Sequence, residues 1–307
     1  MKKRVFIDGG AGTTGLRIVE RLSLRQDIAL FTLPEETRKD PEARRQALNE
    51  ADIAILCLPD DAAREAAGMV ENDRTVVIDT STAHRVAPGW AYGFPEIGGR
   101  REDIREAKRI ANPGCHATGF ISLVSPLVEK GLIAPETRLS CFSLTGYSGG
   151  GKKMIAEYEA AGRSPLLDAP RQYGLQQQHK HLPEMQKVCG LQQAPIFCPV
   201  VAPYFAGMEV TVPLFAGEVR GTAEDIRALY KDYYKDGLVR YEDGGEGGFL
   251  SAGALAGRDD LTVSVAGNAE RILLIARFDN LGKGASGAAI QNMNLALGMD
   301  EKNGLVV

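Results

Sequence analysis

Short apolar runs alternate with amphipathic stretches through the first third of the chain. Val5-Phe6-Ile7 reads as a buried strand, and Leu16, Val19 and Leu22 fall on one face of the helix behind it. Further strands are predicted at Ile28-Ala29-Leu30-Phe31-Thr32-Leu33, Ile53-Ala54-Ile55-Leu56-Cys57-Leu58, Val76-Val77-Ile78-Asp79 and Arg109-Ile110-Ala111. Helices over Pro41–Glu50 and residues 61–70 separate them. Strands that alternate with helices in this way predict a doubly wound parallel sheet. Next, an apolar helical face runs through Phe120, Leu123, Val124 and Leu127, with Pro126 expected to kink or break it. From residue 139 the alternation weakens. Residues 139–144 and Met208–Phe215 read as strands, 261–266 and Arg271–Phe278 as a hairpin, and 222–234 and 285–297 as helices. The second half therefore predicts an α+β domain.

The first strand-to-helix turn carries Gly10-x-Gly12-x-x-Gly15. The first two glycines let the backbone turn tightly and approach a pyrophosphate. The third allows close strand–helix packing, and the helix start supplies N–H donors. This predicts an α/β, Rossmann-type nucleotide-binding domain, with cofactor contacts at Gly10, Gly12, Thr13, Thr14 and Gly15. Beyond the second strand, acidic Glu35 and Glu36 stand beside basic Arg38 and Lys39. An acid there would bind a ribose hydroxyl, whereas Arg38 or Lys39 would hold a 2′-phosphate and favour NADP. A solvated charged loop is the plainer alternative. Ser81 and Arg85 follow the strand ending at Asp79, on the sheet edge where such folds bind ligands, and are expected to contact cofactor or substrate. His84 reads as a loop histidine.

Composition narrows the classes. The 307 residues carry 36 Lys and Arg against 40 Asp and Glu, a net charge of −4 without a basic block, which argues against a nucleic-acid partner. No apolar run approaches the roughly 18 residues of a membrane span, and the basic start turns polar too soon for an export signal. A cytoplasmic protein with free thiols is expected. The five cysteines contain no C-x-x-C pair and no metal site is expected. Cys57 and Cys141 lie in strand runs, and Cys189 and Cys198 flank a short apolar loop. Cys115 differs. It follows Asn112-Pro113-Gly114 at a helix start, where a thiolate is favoured and free N–H groups can hold an oxyanion. Gly149-Gly150-Gly151 before Lys152 offers backbone donors and a charge for an anion, or else a flexible loop.

Together, Gly10–Gly15, Asn112-Pro113-Gly114-Cys115, Ser148-Gly149-Gly150-Gly151-Lys152, His179-Lys180-His181-Leu182-Pro183-Glu184 and Asp279-Asn280-Leu281-Gly282-Lys283-Gly284-Ala285 resemble the shorter type of N-acetyl-gamma-glutamyl-phosphate reductase. The resemblance covers essentially the whole chain. It implies an NADP-dependent enzyme of arginine biosynthesis that reduces N-acetyl-glutamyl 5-phosphate to the 5-semialdehyde and phosphate. It also implies a domain of residues 1–114, completed by a C-terminal helix in 282–307, and a catalytic and oligomerisation domain of residues 115–281. A homo-oligomer, dimer or tetramer, follows from it, with Asn280 near the nicotinamide.

Such a reduction runs most readily through a thioester, which needs a nucleophilic thiol, an oxyanion site and a general acid–base. Cys115 fills the first role. His116 is its neighbour, but adjacent helical residues do not face one another. His179 and His181, at i and i+2 of an extended segment, would point to one side. The resemblance places the active-site histidine in this segment, and His181 is favoured over His179. Substrate contacts are expected from Arg85, Asn112, Ser148, Gly149, Gly150 and Lys152. An aspartate-semialdehyde dehydrogenase or an N-acetyl-aminoadipyl-phosphate reductase would use the same parts. A non-catalytic NADP sensor would not need Cys115, and a Cys–His hydrolase would leave the glycine turn unexplained.

Overall fold

The computed structural model describes every residue except Met1, Ala11 and Glu246. The chain divides into two compact units. The first comprises Met1–Pro95, Gly99–Pro113 and Ala285–Leu305; the second comprises Glu96–Gly98, Gly114–Gly284 and Val306–Val307.

The first unit begins β1 (Lys3–Asp8), α1 (Thr13–Ser23), β2 (Ile28–Phe31), α2 (Pro41–Glu50), β3 (Ile53–Leu56), α3 (Asp60–Gly68) and β4 (Val76–Asp79). It continues with β5 (Ala91–Tyr92), α4 (Arg100–Glu106) and β6 (Arg109–Ala111). The six strands are parallel in the order β2-β1-β3-β4-β6-β5. Strand periodicity sorts its core. Val5, Ile7, Ile53, Ile55 and Ile78 pack with Ile18, Leu22 and Ile104 on one face. Phe6, Ala54, Leu56 and Val77 pack with Ala47, Leu48 and Ala66 on the other. Because β1 is flanked by β2 and β3, the connections diverge there, which opens a crevice at the carboxyl ends of these strands.

The second unit starts with α5 (Cys115–Glu129), β7 (Ser140–Gly146), α6 (Gly151–Glu159) and β8 (Arg171–Gln172). There follow α7 (Leu182–Val188), β9 (Ile196–Ala202), β10 (Met208–Phe215), α8 (Ala223–Tyr233), β11 (Val239–Tyr241), β12 (Leu261–Gly267) and β13 (Arg271–Phe278). Its seven strands form one mixed sheet in the order β11-β12-β13-β10-β7-β9-β8. Thr222 caps α8 in a reciprocal box with Asp225, as the sequence leads one to expect.

The helix α5 is apolar on all sides, and the sheet and other helices bury it from His116 through Leu127. Gly119 lets it approach β10, since a Cβ there would lie 2.4 Å from Val210 Cγ2. Pro126 neither ends the helix nor leaves a defect. The Ser122 carbonyl, deprived of its i+4 N–H, accepts the Tyr234 hydroxyl at 2.6 Å instead. Finally, a π-helical turn (Gly282–Ser286) leads into α9 (Gly287–Ala296), whose Ala289, Ile290 and Met293 join the first core.

Candidate functional site

In the first unit the glycine turn is shaped by close approach. Gly9 adopts φ +83°, and a Cβ there would meet the Cys57 carbonyl oxygen at 2.4 Å. A Cβ on Gly15 would lie 2.9 Å from Gly10 Cα, so the third glycine admits α1 against β1. A Cβ on Gly12 would meet nothing within 4 Å, leaving that side of the turn open. Gly12 is the N-cap of α1 and provides no side-chain acceptor, while the buried Thr13 Oγ1 has no hydrogen-bond partner. An open turn, uncapped donors and an orphaned hydroxyl fit a pyrophosphate. Beside it lies a cavity of about 530 Å³ lined by residues including Asp8, Gly10, Thr32, Glu35, Arg38 and Lys39. Arg38 there bonds Glu35 at 3.0 Å, so the acidic and basic candidates occupy one wall together. Arg44 also lines the cavity; its Nη2 sits 2.9 Å from Asp8 Oδ2.

At the end of β4, Asp79 organises the next turn. Its carboxylate accepts the Ser81 N–H at 2.9 Å and the Ser81 hydroxyl at 2.8 Å, and it pairs with His84 Nδ1 at 2.6 Å. His84 stacks on Trp90, ring centres 3.9 Å apart. Arg85 Nε donates to the Asn112 carbonyl at 3.0 Å. The Asn112 side chain donates to the Ala285 carbonyl at 3.0 Å and accepts from Asn292 at 3.1 Å. Ser81 and Asn112 thus spend these groups on the fold of the segments that carry them.

In the second unit Cys115 is the first residue of α5 and half-buried, with Gly114 as N-cap. A Cβ on Gly284 would lie 3.0 Å from Cys115 Cβ, so the Gly282–Ser286 turn brings bare backbone to the thiol-bearing residue. Lys283 in that turn is 1% exposed and donates to both Glu96 oxygens, at 2.9 and 2.7 Å. The other thiols are placed differently. Burial pushes Cys57, which lies just past the end of β3 and not within it, up to about 12 and raises Cys141 in β7 as well, so both thiols stay protonated and unreactive. Cys189 closes α7 and Cys198 lies in β9, on either side of the short connection between these elements.

Three histidines gather beside this helix. His116 and His179 rings are 5.6 Å apart, His116 and His181 5.5 Å, and His179 and His181 4.7 Å. The segment is not extended: His181 has φ −86° and ψ −12°, so a turn and not strand alternation brings the two rings together. His179 is half-buried and its Nδ1 accepts the His181 N–H at 3.2 Å. His181 is buried, with Nε2 3.9 Å from Glu184 Oε1. His116 bonds Ser143 Oγ at 2.7 Å and the Tyr173 hydroxyl at 2.6 Å. Burial, then the neighbouring His179, push His116 down to about 3, so it is neutral at pH 7. Tyr173 is raised by burial and by the Cys115 charge, which places its phenol within electrostatic reach of the thiol.

The glycine run is ordered: Tyr147–Gly150 is a 3-10 turn, and Gly151, at φ +74°, starts α6. Ser148 is buried, with its N–H on the Phe205 carbonyl at 3.0 Å and its Oγ accepting Asn280 Nδ2 at 2.9 Å. Asn280 Oδ1 accepts the Gly207 N–H at 2.9 Å. Gly149, Gly150 and Lys152 are exposed. Among the described residues no group of three or more His, Cys, Asp or Glu side chains could hold a metal ion.

Residues 4–107 match the family described as semialdehyde dehydrogenase, NAD binding domain, and residues 115–280 match its dimerisation domain. N-acetyl-gamma-glutamyl-phosphate reductase 2 of Pseudomonas putida is 44% identical over 98% of both chains. The Brucella ovis reductase is 45% identical over 97% of this chain and 100% of its own. The chain belongs to the N-acetyl-gamma-glutamyl-phosphate reductase family. Among solved structures, aspartate semialdehyde dehydrogenase II of Vibrio cholerae shares the fold at TM-score 0.73 and 19% identity, covering 97% of this chain and 98% of its own. The Candida albicans aspartate semialdehyde dehydrogenase with NADP aligns at TM-score 0.67 and 16% identity, over 96% of this chain and 99% of its own.

An N-acetyl-gamma-glutamyl-phosphate reductase sequence of this type carries a nicotinamide-dinucleotide domain and a thiol at a helix start in plain view. Less visible are Arg44, Tyr173 and Ser143, each of which gains its place from tertiary packing. Arg44 has a faint signal as the charged residue on the buried face of α2. Tyr173 and Ser143 have none.

Proposed function

We propose that the chain reduces N-acetyl-glutamyl 5-phosphate to N-acetyl-glutamate 5-semialdehyde and phosphate with NADPH, in arginine biosynthesis. The observation that carries this reading is Cys115 at the first turn of α5, directly before His116 of the histidine cluster. The Cys115 thiolate attacks the acyl carbon, a thioester forms and phosphate leaves with the bond electrons. The N–H groups at the start of α5 stabilise the oxyanion. When bound, the cofactor supplies the hydride that takes the thioester to a thiohemiacetal. His181, with His179 beside it, delivers the proton to that oxygen; its removal again releases the aldehyde and regenerates the thiolate. Gly10, Gly12, Thr13, Thr14 and Gly15 would hold the pyrophosphate. Arg38 would hold the 2′-phosphate, the feature that would distinguish NADP from NAD. Gly149, Gly150 and Lys152, exposed where the 3-10 turn meets α6, would form the phosphate site.

The test runs the reaction in the oxidative direction. Wild-type protein with NADP, phosphate and N-acetyl-glutamate 5-semialdehyde should produce NADPH, and Cys115→Ser should abolish it. Binding of NADP without turnover would instead indicate a cofactor-sensing protein.

A further inference from the structure

Glu184 lies among these groups, yet the thioester route gives it no part. It lies in the first turn of α7, and its side chain is 1% exposed. A carboxylate is almost never buried so far without partners that replace water. Its two oxygens face different parts of the site. Oε2 accepts the Gly114 N–H at 3.2 Å, and Oε1 lies 3.9 Å from His181 Nε2. Gly114 is the residue before Cys115. A glutamate three residues after an N-cap ordinarily reaches back to the N-cap N–H. Here that N–H, on His181, goes to His179 Nδ1 at 3.2 Å, and the carboxylate spans to the turn before α5 instead.

We propose that Glu184 is a positioning residue: one buried carboxylate ties the turn that presents Cys115 to the His181 imidazole and favours the protonated ring. This rests on the assignment of His181 and Cys115 above. His181 is faced by His179 from its own turn, by His116 from α5 and by Glu184 from α7. His116 is neutral near pH 7. Of the facing groups, Glu184 stabilises the imidazolium, while a protonated His179 opposes it.

Glu184→Gln keeps the shape and an acceptor for Gly114 but removes the charge. In the oxidative direction the neutral imidazole is the working form. The acid limb of the kcat profile should therefore move about one pH unit lower in Glu184→Gln. At pH 6 the variant should then retain up to about 10-fold more of its pH 8 rate than wild type retains. Glu184→Ala, which also frees the Gly114 turn, should in addition change the rate of Cys115 alkylation by iodoacetamide several-fold, followed by mass spectrometry. A Glu184→Gln profile that coincides with wild type, or one depressed equally at every pH, overturns the proposal. If wild type shows no turnover, the functional reading fails separately. The link is then decided by NMR titration of His181, which should shift about one unit lower in Glu184→Gln and overturns the idea if it does not.

Discussion

His116 shows how a single buried ring can act on stability without touching the reacting atoms. Both nitrogens are engaged, by Ser143 and Tyr173, and burial lowers the folded-state value to about 3 from an ordinary 6.5. Between those values the unfolded chain binds a proton that the folded chain refuses. The contribution of His116 is therefore complete above about pH 6.5 and declines as pH falls, by roughly 1 kcal/mol per pH unit. Urea unfolding at pH 7 and pH 5 should show His116→Gln losing about 2 kcal/mol less than wild type across that interval; equal losses would rule this out. In the proposed cofactor site, Arg38 is the residue that would hold a 2′-phosphate. A charge-assisted bond to a 2′-phosphate contributes about 1.5–3 kcal/mol. Arg38→Glu should accordingly weaken NADPH binding by about 10- to 100-fold and leave NADH binding within about 2-fold, measured by fluorescence titration. At this scale, what sequence reveals is chemistry tied to local spacing. Cys115 and the glycine turn were legible because a helix start and a strand end are local events. Tyr173 was not, because its value comes from reaching His116 across 57 residues of chain.

Among the elements, α5 carries Cys115 at its first turn and also the least expected local feature, a proline inside a buried helix. Sequence alone reads Pro126 as a break, because the missing N–H and the ring both oppose helix. The fold retains the helix by bringing two hydroxyls from the end of α8. Tyr234 donates to the Ser122 carbonyl and Tyr230 to the Leu123 carbonyl. Both tyrosines are buried, so neither carbonyl can turn to water. Tyr234→Phe should then cost about 1–3 kcal/mol, the penalty of a buried unpaired carbonyl. In a Pro126→Ala background the alanine N–H restores the helical bond, and the same tyrosine change should cost less by about 1 kcal/mol. Denaturant unfolding of the four proteins in the cycle measures that coupling, and strict additivity would refute the account. The His179–His181 segment makes the complementary point. The pairing of two histidines was readable, whereas the turn that makes their rings meet depends on α7 beginning at Leu182.

For the molecule as a whole, alternation of strand and helix in the first third marks the parallel sheet because each βαβ connection is local in sequence. The return of α9 to that core, and the excursion of Glu96–Gly98 into the second unit, are not local. The latter is anchored by a Glu96–Lys283 pair 187 residues apart, for which no periodic signal exists. A further long-range feature is the outer surface of the seven-stranded sheet. Phe142 on β7, Ile196 on β9, Phe215 on β10 and Leu273 on β13 are 48, 64, 67 and 38% exposed. They lie on adjoining strands: Phe142 pairs with Thr211 of β10 and Cys198 of β9, and Leu273 with Pro213. One exposed apolar side chain needs no explanation, but several on one sheet face mark an association surface. The matched dimerisation domain spans all four residues. A stable contact between copies needs about 800 Å² from each partner, which a sheet of this size can supply. We expect the chain to be a dimer through this face. Light scattering at about 10 μM should give twice the chain mass, a concentration well above the Kd of an interface in this class. The double variant Phe142→Asp and Leu273→Asp places two desolvated charges opposite themselves across a two-fold axis. It should run as a folded monomer with unchanged far-UV circular dichroism. A wild-type monomer, or a double variant that still doubles its mass, would show that the subunits meet elsewhere or not at all.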